Sequence, residues 1–141
     1  MLSGDCTTSL GTVAGLQRVG LDPAIVWLDA HGDLQTMETT ASGYLGGMPL
    51  RILLGYRPEL IAESLGLRAV REERVVLVGA RDLDPPEMLY LERAVVHRRE
   101  VAELSADALP GGPLYLHLAE PAHPAVSAPV AGAPAAAIVN G

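Results

Sequence analysis

The sequence predicts an α/β domain built on a mainly parallel sheet, and three observations predict it. Two short, continuous apolar runs, Ala24-Ile25-Val26-Trp27-Leu28 and Val75-Val76-Leu77-Val78, each stop at a polar cluster. Runs of this kind suit strands buried on both faces of a sheet. Stretches with helical signals stand before and between them, so that helix and strand alternate along the chain.

The elements follow in order. Residues 8–19 place Leu10, Val13, Ala14, Leu16 and Val19 at helical spacing, with Thr7 or Thr8 as cap, and Asp22-Pro23 breaks the helix. The first strand, 24–28, ends at Asp29. Residues 32–47 form a long loop rich in Thr, Ser and Gly, of the kind that often carries function. Pro49 opens a short helix through Leu54 and Pro58 another through Leu65, each with proline in a tolerated first-turn position. The second strand, 75–78, runs into Arg81-Asp82-Leu83-Asp84. Residues 86–94 read as a helix, 95–97 as a short strand and 114–118 as a further strand. From Ala119 to Gly141 alanine and proline dominate, and Pro121, Pro124, Pro129 and Pro134 exclude a helix or a central strand. The domain is therefore expected over 1–118, with an extended or disordered tail over 119–141.

Composition limits the partners. The hydrophobic fraction of 49% is that of a globular chain, and the net charge of −7 disfavours nucleic acid and anionic membranes while suiting a small cationic substrate. Cys6 is the single cysteine, so no intrachain disulfide forms and a reducing cytoplasm is the natural setting. No basic-then-apolar leader is read at the N-terminus, and no apolar stretch approaches the roughly 18 residues of a membrane span.

The sharpest chemical signal is Asp29-Ala30-His31-Gly32-Asp33. Ligand sites in parallel α/β sheets gather at the carboxyl ends of strands, and Asp29 directly follows one. In an extended segment, alternate residues project to one side, so Asp29, His31 and Asp33 would converge. Two carboxylates this close repel, and a divalent cation resolves the conflict. Carboxylate oxygen with imidazole nitrogen suits manganese, iron, cobalt or zinc better than calcium or magnesium. The bland alternative is an Asp that caps a turn and a His that is only a loop residue.

The match extends well beyond this segment. Trp27-Leu28-Asp29-Ala30-His31-Gly32-Asp33 resembles the D-A-H-x-D metal motif of the arginase/agmatinase/formiminoglutamase (ureohydrolase) superfamily. Thr36-Met37-Glu38-Thr39-Thr40-Ala41-Ser42-Gly43 resembles its T-P-x-T-T-x-S-G loop, and Gly46-Gly47-Met48-Pro49-Leu50 its passage from loop to helix. Ser3-Gly4-Asp5-Cys6-Thr7 resembles G-G-D-H-S, and Val78-Gly79-Ala80-Arg81-Asp82-Leu83-Asp84 resembles I-G-x-R-D-x-D. The motifs occur in family order. The resemblance implies a three-layer α/β/α fold with helices on both faces of the sheet. It also implies a manganese-dependent hydrolase of guanidino or linear amidine C–N bonds, acting by metal-hydroxide attack, with one or two ions. By the same resemblance Asp29 bridges two ions, His31 serves one, Asp33 serves the other, and Cys6 stands where the family has a histidine ligand, either as a thiolate ligand to the same ion or as no more than a small buried residue. Asp33 is also a candidate proton acceptor. Gln35, Ser42 and Asp84 fall at substrate-contacting positions, and Gly46 stands where arginases carry a proton-shuttling His.

The sequence departs from the family near its end. The second metal half-site is a strand followed by D-x-D, and here Leu114-Tyr115-Leu116-His117-Leu118 is followed by Ala119-Glu120-Pro121. Neither Ala119 nor Pro121 can ligate a metal. His117, Glu120 and His123 have ligand chemistry, although Glu120 points away from the Ala119 side if the strand continues. The Gly-Asp-Cys motif, which the family places after several strands, begins here at Ser3. An incomplete, truncated or divergent member is expected, with unpaired sheet edges that make it marginal, aggregation-prone or dependent on a partner chain, as in a homo-oligomer. Two readings follow: a metal-dependent hydrolase of impaired activity, or a non-catalytic remnant or binding module that keeps the fold. A third, an unrelated metal hydrolase such as a phosphatase, finds no Gly-rich phosphate cradle and no Arg/Lys cluster near the motif.

Overall fold

The computed structural model describes residues 3–119. Four strands, β1 (Ala24–Leu28), β2 (Val75–Val78), β3 (His97–Arg99) and β4 (Leu114–Leu118), form one parallel sheet in the order β3-β2-β1-β4. Four α-helices accompany them: α1 (Thr8–Arg18), α2 (Pro49–Leu53), α3 (Ala62–Leu65) and α4 (Pro85–Leu91). The expected α/β class with a parallel sheet is the observed one. The tail expected over 119–141 lies, past Ala119, outside the described residues. Among the described residues no helix is long and apolar enough to cross a membrane.

The two faces of the sheet are covered differently. Ile25, Trp27, Val75, Leu77 and Tyr115 project to one face and pack against side chains of the four helices, including Leu10, Val13, Leu50, Leu53 and Leu91. Val26, Leu28, Val76 and Val78 project to the other, under Val101, Leu104 and Leu109. The layer on this second face is built from the 3₁₀ turns Val101–Glu103 and Ala106–Ala108 rather than from α-helices. Parallel crossovers are right-handed, so connections that run in opposite directions across a sheet lie on opposite faces. The chain steps from β1 to β2 to β3 over the helical face. It then returns over the 3₁₀ face to β4 on the far side of β1. The strand order therefore reverses between β1 and β4, and in α/β sheets the crevice at such a point is where ligands bind.

Local departures from the sequence expectations have plain causes. In α1 the buried stripe is Leu10, Val13, Ala14 and Gln17, with spacing i, i+3, i+4, i+7. Gln17 is tolerated inside because its amide donates to the Arg68 carbonyl at 3.0 Å and its oxygen accepts from the Arg68 amide at 2.8 Å. Val19 is the C-cap and is 74% exposed, since Gly20 turns the chain at φ +84°. The helix expected from Pro58 begins only at Ala62, after a turn at Arg57 with φ +39°. The short strand expected over 95–97 lies instead at His97–Arg99, in register with Val76–Val78.

One contact couples helix α4 to the loop after β1. The buried Glu87 accepts from the Leu34 amide at 2.9 Å and from the Asp84 amide at 3.0 Å. It lies so close to the chain that a Cβ on Gly32 would fall 2.7 Å from Glu87 Oε1 and 2.8 Å from Leu83 Cδ2. Gly32→Ala is therefore predicted to cost about 1–3 kcal/mol of stability by overpacking. Urea denaturation checks this; an unchanged midpoint would show that Glu87 moves aside freely.

Candidate metal centre

The site is built where β1 ends. Asp29 donates its amide to the Val78 carbonyl at 3.2 Å, and the Ala119 amide donates to Leu28 at 3.0 Å, so both neighbouring strands hold this point. One residue on, the Ala30 carbonyl accepts from both Arg81 and Asp82, at 2.9 and 2.8 Å. The chain then bends and reaches Asp33 in the left-handed region, φ +51°. A non-glycine residue held there is uncommon, and such strain gathers at functional positions. The Asp33 carbonyl accepts from the Arg51 amide in α2 at 3.1 Å, which fixes the turn.

The bend changes how the motif converges. Cys6, Asp29, Asp33 and His117 each offer a ligand atom, and these four atoms lie within 4.8 Å of one another. Asp29 and Asp33 are 2% and 6% exposed and His117 is fully buried. Asp29 turns its two oxygens to different sides. Oδ2 lies 4.0 Å from the Cys6 sulfur. Oδ1 accepts from the His31 amide at 3.0 Å and lies 3.2 Å from His31 Nδ1. His31 is half exposed and sits between Asp29 and Asp82, whose Oδ2 is 3.8 Å from its Nε2. Simple alternation along an extended segment thus does not describe the loop: Asp33 turns in beside Cys6, and His31 lies on the outer side of Asp29.

His117 enters from β4, where its ring stacks on Trp27 at 3.6 Å between centroids and 8° between planes. The signal for it was legible, because side chains alternate along a strand and His117 shares the side of Ala119. The β1–β4 register, Leu28 with Leu118, carries on to set Ala119 beside Asp29. That position offers a methyl group and no ligand. Glu120, Pro121 and His123 lie outside the described residues.

The electrostatics are those of a site that wants a cation. Burial pushes the Asp33 carboxyl up to about 8, reinforced by the Asp29 charge. Burial and the Asp33 and Asp29 charges push the Cys6 thiol well above its ordinary range. Burial also lowers His117 to about 4, leaving a neutral imidazole, the form that binds metals. Asp33 Oδ2 is buried with no hydrogen-bond partner. A buried carboxylate oxygen is costly to leave unmet, and a divalent ion among these donors meets it. The residues present fit a metal.

The substrate-side candidates divide. Gln35 is buried and donates to Asp84 Oδ2 at 2.6 Å, while its oxygen accepts from Thr39 at 2.7 Å. Ser42 lies on the exposed part of the loop, where its hydroxyl accepts from the Tyr44 amide at 3.2 Å. The Tyr44 ring occupies the space over Gly46, where an added Cβ would meet it at 2.3 Å, and its hydroxyl donates to Asp5 Oδ2 at 2.7 Å. Glu87 is the positioning residue that sequence reasoning missed. Its signal was the Asp84-Pro85-Pro86-Glu87 spacing, a capping box at the start of α4.

Fold and site together define a parallel α/β domain with a carboxylate, thiol and imidazole cluster at the strand-order reversal. Comparison with known proteins places it. A model of the arginase family matches residues 1–111, and the chain belongs to that family. The arginase of Bacillus subtilis (strain 168) is 39% identical over 95 residues, 67% of this chain and 32% of that protein. The arginase of Brevibacillus brevis is 43% identical over 94 residues, 66% of this chain and 32% of that protein. The crystal structure of arginase from Bacillus cereus superposes with a TM-score of 0.70 at 30% identity, covering 83% of this chain and 45% of that one. The chain thus spans about a third of the length of these curated relatives.

A pH dependence follows for the metal-free chain. Asp33, raised to about 8 from an ordinary 3.8, keeps its proton in the folded state where the unfolded chain has lost it, so stability falls as pH rises through that window. His117, lowered to about 4 from 6.5, acts in the opposite sense between those values. Above pH 6.5 only the Asp33 effect of the two remains, and stability is predicted to fall from pH 6.5 to about 8. Denaturation curves in chelator at the two pH values test this, and stability that rises over the interval contradicts it.

Proposed function

We propose that the chain carries the metal-binding core of a manganese-dependent hydrolase that cleaves a C–N bond in a guanidino or linear amidine compound. Turnover by this chain is low. The observation that carries the reading is the convergence of Cys6, Asp29, Asp33 and His117 at the carboxyl ends of β1 and β4, around an unsatisfied buried oxygen of Asp33. These residues would hold the cation, with His31 on the outer oxygen of Asp29. A divalent metal there supplies Lewis-acid activation of water at neutral pH.

The chain's own residues supply the rest. Asp33, whose carboxyl burial raises to about 8 in the metal-free chain, would give up its proton on taking the cation, so metal uptake is coupled to proton release. Asp84, tied to Gln35, presents a carboxylate for the cationic end of the substrate, and Ser42 offers a hydroxyl from the loop. The net charge of −7 favours a small cationic ligand. A reducing cytoplasm keeps Cys6 available as a ligand.

A second reading, a metal-binding module without turnover, is favoured by one specific observation: Ala119 stands beside Asp29 where the family's D-x-D would add a carboxylate. Assay of the chain with manganese against arginine, agmatine and guanidino acids separates the two. Absence of turnover at high protein concentration sinks the hydrolase. Ala119→Asp returns a carboxylate at that register position and is expected to raise manganese affinity and any turnover at least tenfold, since even outer-sphere changes at a metal site cost roughly 10–100-fold. Asp33→Asn is expected to abolish both. Equal manganese affinity of wild type and Ala119→Asp would show that the register position does not limit the site.

A further inference from the structure

We propose that Cys6, Asp29, Asp33 and His117 form a single-ion site of mixed thiolate, imidazole and carboxylate character, which takes zinc or cobalt rather than a manganese pair. This rests on the reading that the strand-end cluster binds a divalent metal. It departs from that reading on which ion is held and how many.

The donor set carries the argument. Four side chains bring one sulfur, one ring nitrogen and two carboxylates within 4.8 Å of one another. Four protein donors of S, N and O type are what zinc takes, whereas manganese prefers sites made of oxygen. Cys6 is a soft donor at the inner face of Asp29, on the Oδ2 side. His117 is held in place by its stack on Trp27, so little ordering is left for binding to accomplish. The independent sign of a ligand is Asp33 Oδ2. It is buried, lacks a hydrogen-bond partner and belongs to a residue only 6% exposed.

A second ion has too little to hold it. On the outer side of Asp29 stand Oδ1, already accepting from the His31 amide, and the half-exposed His31 ring. The register neighbour of Asp29 is Ala119, whose side chain offers no ligand. Asp82 is 82% exposed at its side chain and lies 3.8 Å from the far nitrogen of His31. Among the described residues the inner quartet is the one group of three or more such donors gathered at this spacing. The lost carboxylate at 119 is thus answered two residues earlier on the same strand side by an imidazole, and the site contracts to one ion.

Zinc outranks manganese in most nitrogen and oxygen sites, so preference alone does not test the proposal. Sulfur ligation and stoichiometry do. The full chain, stripped with chelator, is titrated separately with Zn²⁺, Co²⁺ and Mn²⁺. Native mass spectrometry is expected to show one equivalent of zinc or cobalt. The cobalt complex is expected to show a thiolate-to-metal charge-transfer absorption, which is lost in Cys6→Ser. Cys6→Asp, which exchanges sulfur for oxygen, is expected to narrow the zinc-to-manganese affinity ratio. His117→Gln is expected to weaken zinc by more than the roughly 10–100-fold that outer-sphere changes cost. Far-ultraviolet circular dichroism establishes that each variant is folded, and should His117→Gln fail to fold, the two Cys6 variants carry the test. Two manganese ions per chain, or a cobalt complex without the sulfur band, overturn this inference and leave the metal-site reading standing. A folded chain that binds none of the three metals overturns both.

Discussion

Asp29 and Asp33 share a buried space with the Cys6 thiol and the neutral His117 ring. Burial opposes ionisation of Asp33, and the Asp29 charge opposes it further. The metal-free chain resolves this by holding Asp33 protonated up to about pH 8 and the Cys6 thiol well above its ordinary range. Both adjustments are costs carried by the fold. A divalent ion reverses the sign of every term, since a bound cation is the largest charge in its site and favours the ionised ligands. Three contacts fix the backbone that carries these groups: the Ala30 carbonyl accepting two hydrogen bonds, the Asp33 turn pinned by Arg51, and Glu87 clamping Leu34.

That clamp depends in turn on β1. All five of its residues are buried, and it is paired on both sides, with β2 and β4. A strand so enclosed cannot slip by one residue without sending Trp27 to the opposite face and Asp29 out of the cluster. Trp27 serves both the core and the site. It is a fully buried core side chain, and its ring is the surface on which His117 is stacked. Packing and ligand placement are therefore the same contact, and a change that loosens one loosens the other.

What could be read from the residues alone follows from which interactions are local. The buried strands announced themselves by unbroken apolar runs, and Asp29 by its place at the end of one. The α1 stripe was legible from Leu10, Val13 and Ala14, although Gln17 was not, because its burial depends on the Arg68 backbone, distant in sequence. The turn at Asp33 was hidden for a related reason. Alternation describes an extended segment, and nothing in Asp29 to Asp33 declares that Ala30 is fastened to the Arg81–Asp82 segment. His117 was one of three residues with ligand chemistry near the end, and choosing it required the β4 register beside β1. That the β3–β4 connection crosses the opposite face follows from the 3-2-1-4 order, and among the described residues it does so in 3₁₀ turns rather than α-helices.

Two of the departures from the family pattern, Cys6 and Ala119, bear on each other. A site that loses a bridging carboxylate at 119 has less negative charge with which to hold two dications a few ångströms apart, and their mutual repulsion then dominates. A softer ligand at Cys6 is of little use to a manganese pair but strengthens the hold on a single zinc-like ion. Read together with His117, which reaches the same cluster from the strand that lost the carboxylate, the substitutions change the site in one direction. Position 119 supplies no carboxylate, while sulfur from Cys6 and nitrogen from His117 stand beside Asp29 and Asp33. The four inner donors keep their ligand atoms within 4.8 Å of one another, three of the residues buried and Cys6 part-buried. The arrangement is better explained as a contracted site than as an eroded one.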